Sequence, residues 1–314
     1  MQHVIGFGSY VPSRVVTNEM LAEIMDTSDE WITKRTGIKQ RYFADDDEYV
    51  CDIGYKAAVA ALEDAGIGAE SIDLLIVATC THHQKFPSSA CAIGRDLGVQ
   101  GVCFDVSAAC SGFVYALEIA ASLMQVRKYR NALIIGAERF STFFNVQNRS
   151  SSVLFGDGAG AFVLSSDVCS ENTSRTSLKL KDTYLASDCA LYDDLYVDHK
   201  SCMIAMNGAS VFKHAVQNMT QAVEVILSRN GLNVQDIDML VPHQANVRIL
   251  EAVASALHMN TEKVVSSIAV HSNTSAASIP LACDFARESF LQAEKVVLVS
   301  MGAGFTWGAV LLER

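Results

Sequence analysis

Short apolar runs alternate with longer amphipathic stretches along most of this chain. The runs 73–79, 102–106, 132–136 and 159–165, and again 237–241, 295–300 and 307–312, are rich in Val, Ile and Leu and predict buried strands. Between them, 53–65, 110–126, 209–229 and 275–289 carry apolar residues at helical spacing. Gly66 and Gly231 close two of these helices, where the chain needs positive φ. Strands apolar on both faces and alternating with helices imply a sheet covered on both sides.

The pattern occurs twice. LEDAGIGAESIDLLIVA from Leu62 resembles LSRNGLNVQDIDMLVPH from Leu227, so that Gly66 pairs with Gly231, Asp73 with Asp238 and Leu75 with Leu240, each 165 residues apart. The same spacing pairs Ser107 with Ser272, and ALIIG at 132 with VLVSM at 297. GDGAGAFVLSS and GFTWGAVLLER match at a shorter spacing. An internal repeat of this length predicts two related α/β halves, 1–166 and 167–314, stacked in five layers α/β/α/β/α. The least patterned stretch, 167–207, reads as a connecting, partly exposed segment.

Composition narrows the class. With 314 residues, 50% hydrophobic and 19% charged, the chain has ample material for a large core. No apolar run reaches the roughly 18–20 residues that span a bilayer, and MQHVIGFGSYVPSRVV lacks the pattern of a signal peptide. Nine cysteines without a CxxC pair read as reduced thiols in a cytoplasmic protein, and all but Cys110 as small packed hydrophobes. A net charge of −11 without a basic block argues against nucleic acid as a partner.

Ligands gather at the carboxyl ends of strands in α/β sheets. Cys110 follows strand 102–106, His243 follows strand 237–241, and Asn273 precedes the helix predicted at 275–289. Cys110 sits where a helix begins, among Ser107, Ala108, Ala109, Ser111 and Gly112, and a helix N-terminus is expected to lower a thiol's pKa. Its own N–H is a candidate arm of an oxyanion hole, and MGAGFTWG (301–308) offers a second. His243 supplies an imidazole, and Asn273 a carboxamide that never changes charge. Such a set permits two chemistries, a cysteine hydrolase or stabilisation of an enolate while the thiol holds an acyl chain. The adjacent His82 and His83 point in different directions and do not predict a metal site.

DVSAACSGFVYAL, LVPHQANVRI, HSNTSAAS, FGDGAGA and GFTWG resemble the β-ketoacyl-[acyl-carrier-protein] synthase III family of the thiolase superfamily, and DTSDEWITKRTGI and FPSSACAI agree. The resemblance implies the thiolase fold and a homodimer. It implies decarboxylative condensation of a starter acyl-CoA with malonyl-acyl-carrier-protein, initiating type II fatty acid synthesis; a specialised pathway with an unusual starter is the alternative. It implies an acyl intermediate on Cys110, an enolate held by His243 and Asn273, and an oxyanion hole from the backbone of Cys110 and Ala303, where the family usually has glycine. By the same resemblance Trp31 and Arg149 sandwich the adenine of coenzyme A, with Arg35 beside its phosphates and Asn246 on the pantetheine. Phe86, reaching across the dimer, and Phe305 shape the acyl pocket. Lys213 and Arg248 meet the acidic carrier protein. No cofactor beyond the thioester substrates, no metal and no membrane partner is implied. Ala209 stands where the family commonly has asparagine.

Overall fold

The computed structural model describes residues 2–167 and 177–314; Cys169 and most of the stretch SSDVCSENTSRTS lie outside the described residues. Nine strands carry the architecture: β1 (His3–Tyr10), β2 (Leu74–Ala78), β3 (Val102–Val106), β4 (Asn131–Arg139), β5 (Asp157–Ser165), β6 (Leu178–Ser187), β7 (Met239–Pro242), β8 (Lys295–Gly302) and β9 (Thr306–Glu313). Their order is β3-β2-β4-β5-β1 in the first half and β7-β8-β9-β6 in the second. His3 pairs with Lys179 and Val4 with Leu178, which joins both sets edge to edge through β1 and β6.

Side chains alternate across a strand, and this alternation sorts the core into layers. In β2, Leu74, Ile76 and Ala78 face inward, while Leu75 and Val77 face outward. In β8, Val296 and Leu298 face inward, and Val297 and Val299 outward. The inward set of both halves closes on two helices, α4 (Gly112–Arg127) and α7 (Ser278–Phe285), through Phe113, Leu117, Ile279 and Cys283. The outward set of the first half packs under α2 (Val50–Ala65) and α3 (Ser89–Leu97). That of the second packs under α5 (Gly208–Arg229) and α6 (Val247–Ala256). The result is helix, sheet, helix pair, sheet, helix: the five layers of the thiolase fold. A further short helix, α1 (Asp29–Thr36), precedes the first sheet crossing.

The repeat has a physical content. Asp73 accepts the N–H groups of Arg130 and Asn131 at 2.7 and 3.2 Å, and Asp238 accepts those of Glu294 and Lys295 at 3.0 and 2.9 Å. Each carboxylate thus tethers the start of a neighbouring strand. Gly66 and Gly231 take φ of 67° and 66°. The spacing of 165 does not hold throughout. The turn Ala109–Ser111 corresponds to Ser275–Ala277, and the left-handed residues Ala109 (φ 46°) and Ser275 (φ 49°) are their matching first members. Cys110 is therefore the counterpart of Ala276. In the strands, Leu74 pairs with Ala132 and Met239 with Val296, one residue away from the predicted match of Ala132 with Val297.

Three expectations need correction. The predicted helix 275–289 is a turn, α7 and a separate helix Arg287–Gln292. The repeat also predicts a counterpart of strand 102–106 in the second half, which is reduced to one isolated bridge, Leu240 to Val264. The stretch 167–207 is no mere connector: it contributes β6, whose LKLKDTYLAS is half exposed, so polar residues alternate with apolar ones and mask the strand. The segment Ala109–Arg127 is also long and apolar enough, by composition, to cross a membrane; in the fold it contains the inner helix α4, buried between the two sheets.

The two halves meet through backbone. A Cβ at Gly136 in β4 would lie 2.4 Å from the carbonyl oxygen of Ala276, and Gly112 likewise faces Ala78 and Ala276. Gly136→Ala should force the Ser275–Ala277 turn away from β4, lowering stability in denaturant unfolding by about 1–3 kcal/mol and displacing the neighbouring Asn273. An unchanged midpoint would show that the seam is not close-packed.

Candidate active site

Three segments converge where the strands end. The turn Ala109–Ser111 lies between β3 and α4 and carries Cys110. His243 follows β7 directly, its N–H bonded to Val299 of β8 at 2.8 Å. Asn273 is stitched to the other half: its N–H donates to Leu154 O and its carbonyl accepts from Gly156 N–H, both at 3.0 Å. Cys110, His243 and Asn273 line one cleft of about 610 Å³. Its wall also includes Trp31, Arg35, Phe155, Ala209, Phe212, Asn246 and Arg248.

The nucleophile turn is held by the second half. Ser300 Oγ donates to the Cys110 carbonyl at 2.7 Å, and Ser111 Oγ donates to Thr306 O at 2.7 Å. Thr306 Oγ1 reaches Ala108 O and Ala303 O, each at 3.2 Å. Between these contacts Gly302 lies so close that a Cβ there would be 2.6 Å from the Cys110 nitrogen and 2.9 Å from that of Ser111. Only glycine fits. The loop bearing Ala303 is thereby set beside the Cys110 amide.

The electrostatics reverse one expectation. Burial pushes the Cys110 thiol up to about 12; the Ser275 hydroxyl, bonded to it, opposes the shift, and Glu138 adds to it. The position at a helix start does not outweigh desolvation here, so the resting thiol is protonated at neutral pH. Burial lowers His243 to about 3, which keeps the imidazole neutral. Its Nδ1 lies 2.6 Å from Ser278 Oγ. Asn273 Oδ1 accepts the Ser275 N–H at 2.9 Å, so the acceptor end of the carboxamide is occupied and its amino group remains.

Beneath the thiol lies a cluster that sequence reasoning missed. Glu138, at the end of β4 and fully buried, accepts from Thr81 Oγ1 at 2.7 Å, Thr79 Oγ1 at 3.2 Å and Cys80 Sγ at 3.2 Å. Cys80 Sγ lies 3.9 Å from Ser275 Oγ, which also bonds Cys110. The signal was present: ALIIGAER ends an apolar strand on a buried acid at the functional edge of the sheet. Cys80 is thus a hydrogen-bonded thiol and not a purely apolar filler, and Cys91, Cys189 and Cys202 are exposed, contrary to the expectation for the remaining cysteines.

The other predicted residues divide. Trp31 projects from α1, with Arg149 at 4.5 Å and Arg35 at 5.0 Å from the ring centroid. Arg149 already covers the indole and is bonded to Asp26 O at 2.6 Å, so a base stacked between the two needs Arg149 to swing out. Asn246 caps α6, accepting Arg248 N–H at 2.9 Å and donating to Arg35 O at 3.1 Å. Arg248 and Phe212 are exposed and adjacent, 5.8 Å apart, and Lys213 is exposed beside Phe212 on α5 without lining the cleft. Phe86 is 83% exposed and Phe305 is wholly buried in the outer core against His214; neither lines the cleft. His82 pairs with Asp105 at 3.2 Å, and among the described residues no group of three or more His, Cys, Asp and Glu is placed to hold a metal ion.

Comparison with known proteins identifies the family. Residues 104–183 match the family model of 3-oxoacyl-[acyl-carrier-protein (ACP)] synthase III, and residues 227–314 match that of its C-terminal part. The chain is 46% identical to the β-ketoacyl-[acyl-carrier-protein] synthase III of Rhodospirillum centenum, over 99% of this chain and 98% of the relative. The corresponding enzyme of Ehrlichia canis is likewise 46% identical, with the same coverage. The crystal structure of 3-oxoacyl-[acyl-carrier-protein] synthase III from Aquifex aeolicus superposes with a TM-score of 0.94 at 41% identity, covering all of both chains. That from Pseudomonas aeruginosa gives 0.91 at 41% identity, over 99% of this chain and 98% of the other. This chain belongs to the β-ketoacyl-[acyl-carrier-protein] synthase III family.

Proposed function

We propose that this protein joins a starter acyl group, taken from an acyl-CoA, to malonyl-acyl-carrier-protein with loss of CO₂, and so initiates type II fatty acid synthesis. The observation that carries the assignment of roles is the single cleft that holds a protonated thiol, a neutral imidazole and a carboxamide whose acceptor end is occupied. A hydrolase would need a base to activate the water that cleaves the acyl-thioester, and an imidazole held near 3 is a poor base for that.

In the first step Cys110 Sγ attacks the acyl carbonyl, the carbon–sulfur bond to coenzyme A breaks, and the thiol proton leaves on the coenzyme A sulfur. The carbonyl oxygen gains negative charge, and the backbone N–H groups of Cys110 and Ala303 are our candidates to receive it. In the second, the bond from the malonyl methylene to its carboxylate breaks, CO₂ departs, and the electron pair forms an enolate. The enolate oxygen is held by His243 and Asn273, two neutral donors that keep the charge on the substrate until its carbon attacks the acyl-thioester. Collapse of that adduct expels Cys110 as thiolate, which takes a proton to close the cycle. No cofactor enters these steps.

Trp31, Arg35 and Asn246 are read as the coenzyme A and pantetheine contacts, with Arg149 as a gate on the indole. Arg248, with Lys213 nearby, gives the acidic chain a local cationic site for an acidic carrier protein. A homodimer is read from β3, an edge strand of the sheet whose Val102 is exposed, and from Phe86, exposed on the neighbouring loop and free to enter a second copy's acyl pocket. Phe305, buried in the outer core and absent from the cleft wall, lends no support to the acyl-pocket role expected for it.

Cys110→Ala should abolish acyl transfer, whereas His243→Ala and Asn273→Ala should retain acylation of Cys110 and lose malonyl-dependent condensation, each by roughly 10²–10³-fold. Full condensation in Asn273→Ala removes the enolate role. Trp31→Ala should raise the KM for acyl-CoA about tenfold with kcat little changed, as expected for about 1–2 kcal/mol of stacking; a fall in kcat alone contradicts a binding role. Because His243 stays unprotonated down to about 3, the condensation rate of pre-acylated enzyme should show no histidine titration between about pH 5.5 and 8. A limb centred near the ordinary histidine value shows instead that the imidazole titrates normally.

A further inference from the structure

The reading of His243 as a hydrogen-bond donor leaves open which ring nitrogen carries the proton, and the structure supplies the answer through Ser278. This residue opens α7, is buried, and has two polar neighbours: His243 Nδ1 at 2.6 Å and the Gln244 N–H at 3.3 Å. A hydroxyl has one proton and two lone pairs. The Gln244 amide can only donate, so it takes a lone pair. The hydroxyl proton then needs an acceptor, and among its described contacts Nδ1 is the one available.

The alternative arrangement fails on counting. If Nδ1 bore the proton, Ser278 Oγ would receive two donors and its own hydrogen would be buried without a partner, a penalty worth roughly tenfold or more in the tautomer ratio. The amide that enforces the choice is itself braced. Gln244 Nε2 donates to Pro242 O at 2.7 Å and to Val265 O at 3.1 Å, and its Oε1 accepts the Ser267 N–H at 2.8 Å. Gln244 is wholly buried, so its backbone N–H has little freedom to turn away.

We infer that Ser278 is a positioning residue that donates its hydroxyl proton to His243 Nδ1, places the imidazole proton on Nε2, and thereby makes the ring a donor toward the enolate. Asn273 is set in the same way by the Ser275 N–H on its Oδ1. Two consecutive turns of one segment, Ser275–Ala277 and the start of α7, thus occupy the acceptor atoms of both groups and leave their donors for the cleft. The inference rests on the condensation reading for its consequence, though not for its measurement.

The tautomer is observable without turnover. Protein labelled with ¹⁵N in the imidazole rings, with His243→Asn used to assign the resonance, should show His243 protonated on Nε2 and unprotonated on Nδ1 at neutral pH. Ser278→Thr, which keeps a hydroxyl, should preserve that tautomer. Ser278→Ala should give a mixture or the opposite form, and should slow malonyl-dependent condensation by about tenfold or more while changing the rate of Cys110 acylation far less, short of the 10²–10³ expected for losing a donor outright. A wild-type His243 protonated on Nδ1 overturns the inference, as does an Ser278→Ala protein with unaltered tautomer and condensation. Should the wild type form the acyl-thioester and show the Nε2–H tautomer yet fail to condense, the tautomer assignment stands and the functional reading falls.

Discussion

The site depends on how closely two backbones approach at the seam between the halves. Gly302 of the second half lies against the Cys110 amide, and Gly136 of the first lies against the carbonyl of Ala276. Neither position has room for a methyl group. These two contacts, one in each direction, let the nucleophile turn and the Asn273 turn pack at backbone contact distance across the seam. The chemistry follows from that closure: the thiol is half-buried at the cleft because the second half packs over its turn, and the carboxamide is placed because its backbone is bonded to Leu154 and Gly156 of the first half.

The same closure explains the charge states. A site this deep favours neutral forms, so the thiol is raised and the imidazole lowered by one physical cause, desolvation. A helix start would favour a thiolate, but burial beside Glu138 works against it. Neutral donors suit an enolate that exists only briefly, since they need no proton transfer as charge appears and leaves. The polar network under the thiol, from Glu138 through Cys80 and Ser275, uses side chains that are satisfied by one another, which lets so many polar groups persist in the interior.

Much of this was legible in the chain. The unbroken apolar runs of β2 and β8 announced strands buried on both faces, and the duplicated Asp73 and Asp238 marked equivalent corners of two halves. Cys110 and His243 stood out because each follows a predicted strand, and Asn273 because it precedes a predicted helix; the fold brings the three to one cleft. What stayed hidden has a common reason, that neighbours in space are not neighbours in sequence. β6 is half exposed and reads as polar. Glu138 looks like the end of a strand until Thr81 and Cys80 fold over it. Ser278 reads as one small residue in TSAAS, and only the pairing of α7 with the loop after β7 brings it to the imidazole. The pKa of Cys110 went the other way because local sequence shows a helix start but not the depth of its burial.

The central claim is that groups from both halves act in sequence on one acyl group bound to Cys110. Intact-mass and peptide mapping of the wild-type protein after mixing with a short acyl-CoA, followed by a chase with malonyl-acyl-carrier-protein, tests it most directly. The account predicts one added acyl mass per chain, located on Cys110, that disappears in the chase as CO₂ and 3-oxoacyl-carrier-protein appear together. An acyl group found on any other residue, or one that leaves Cys110 as free acid without the malonyl partner, would contradict it.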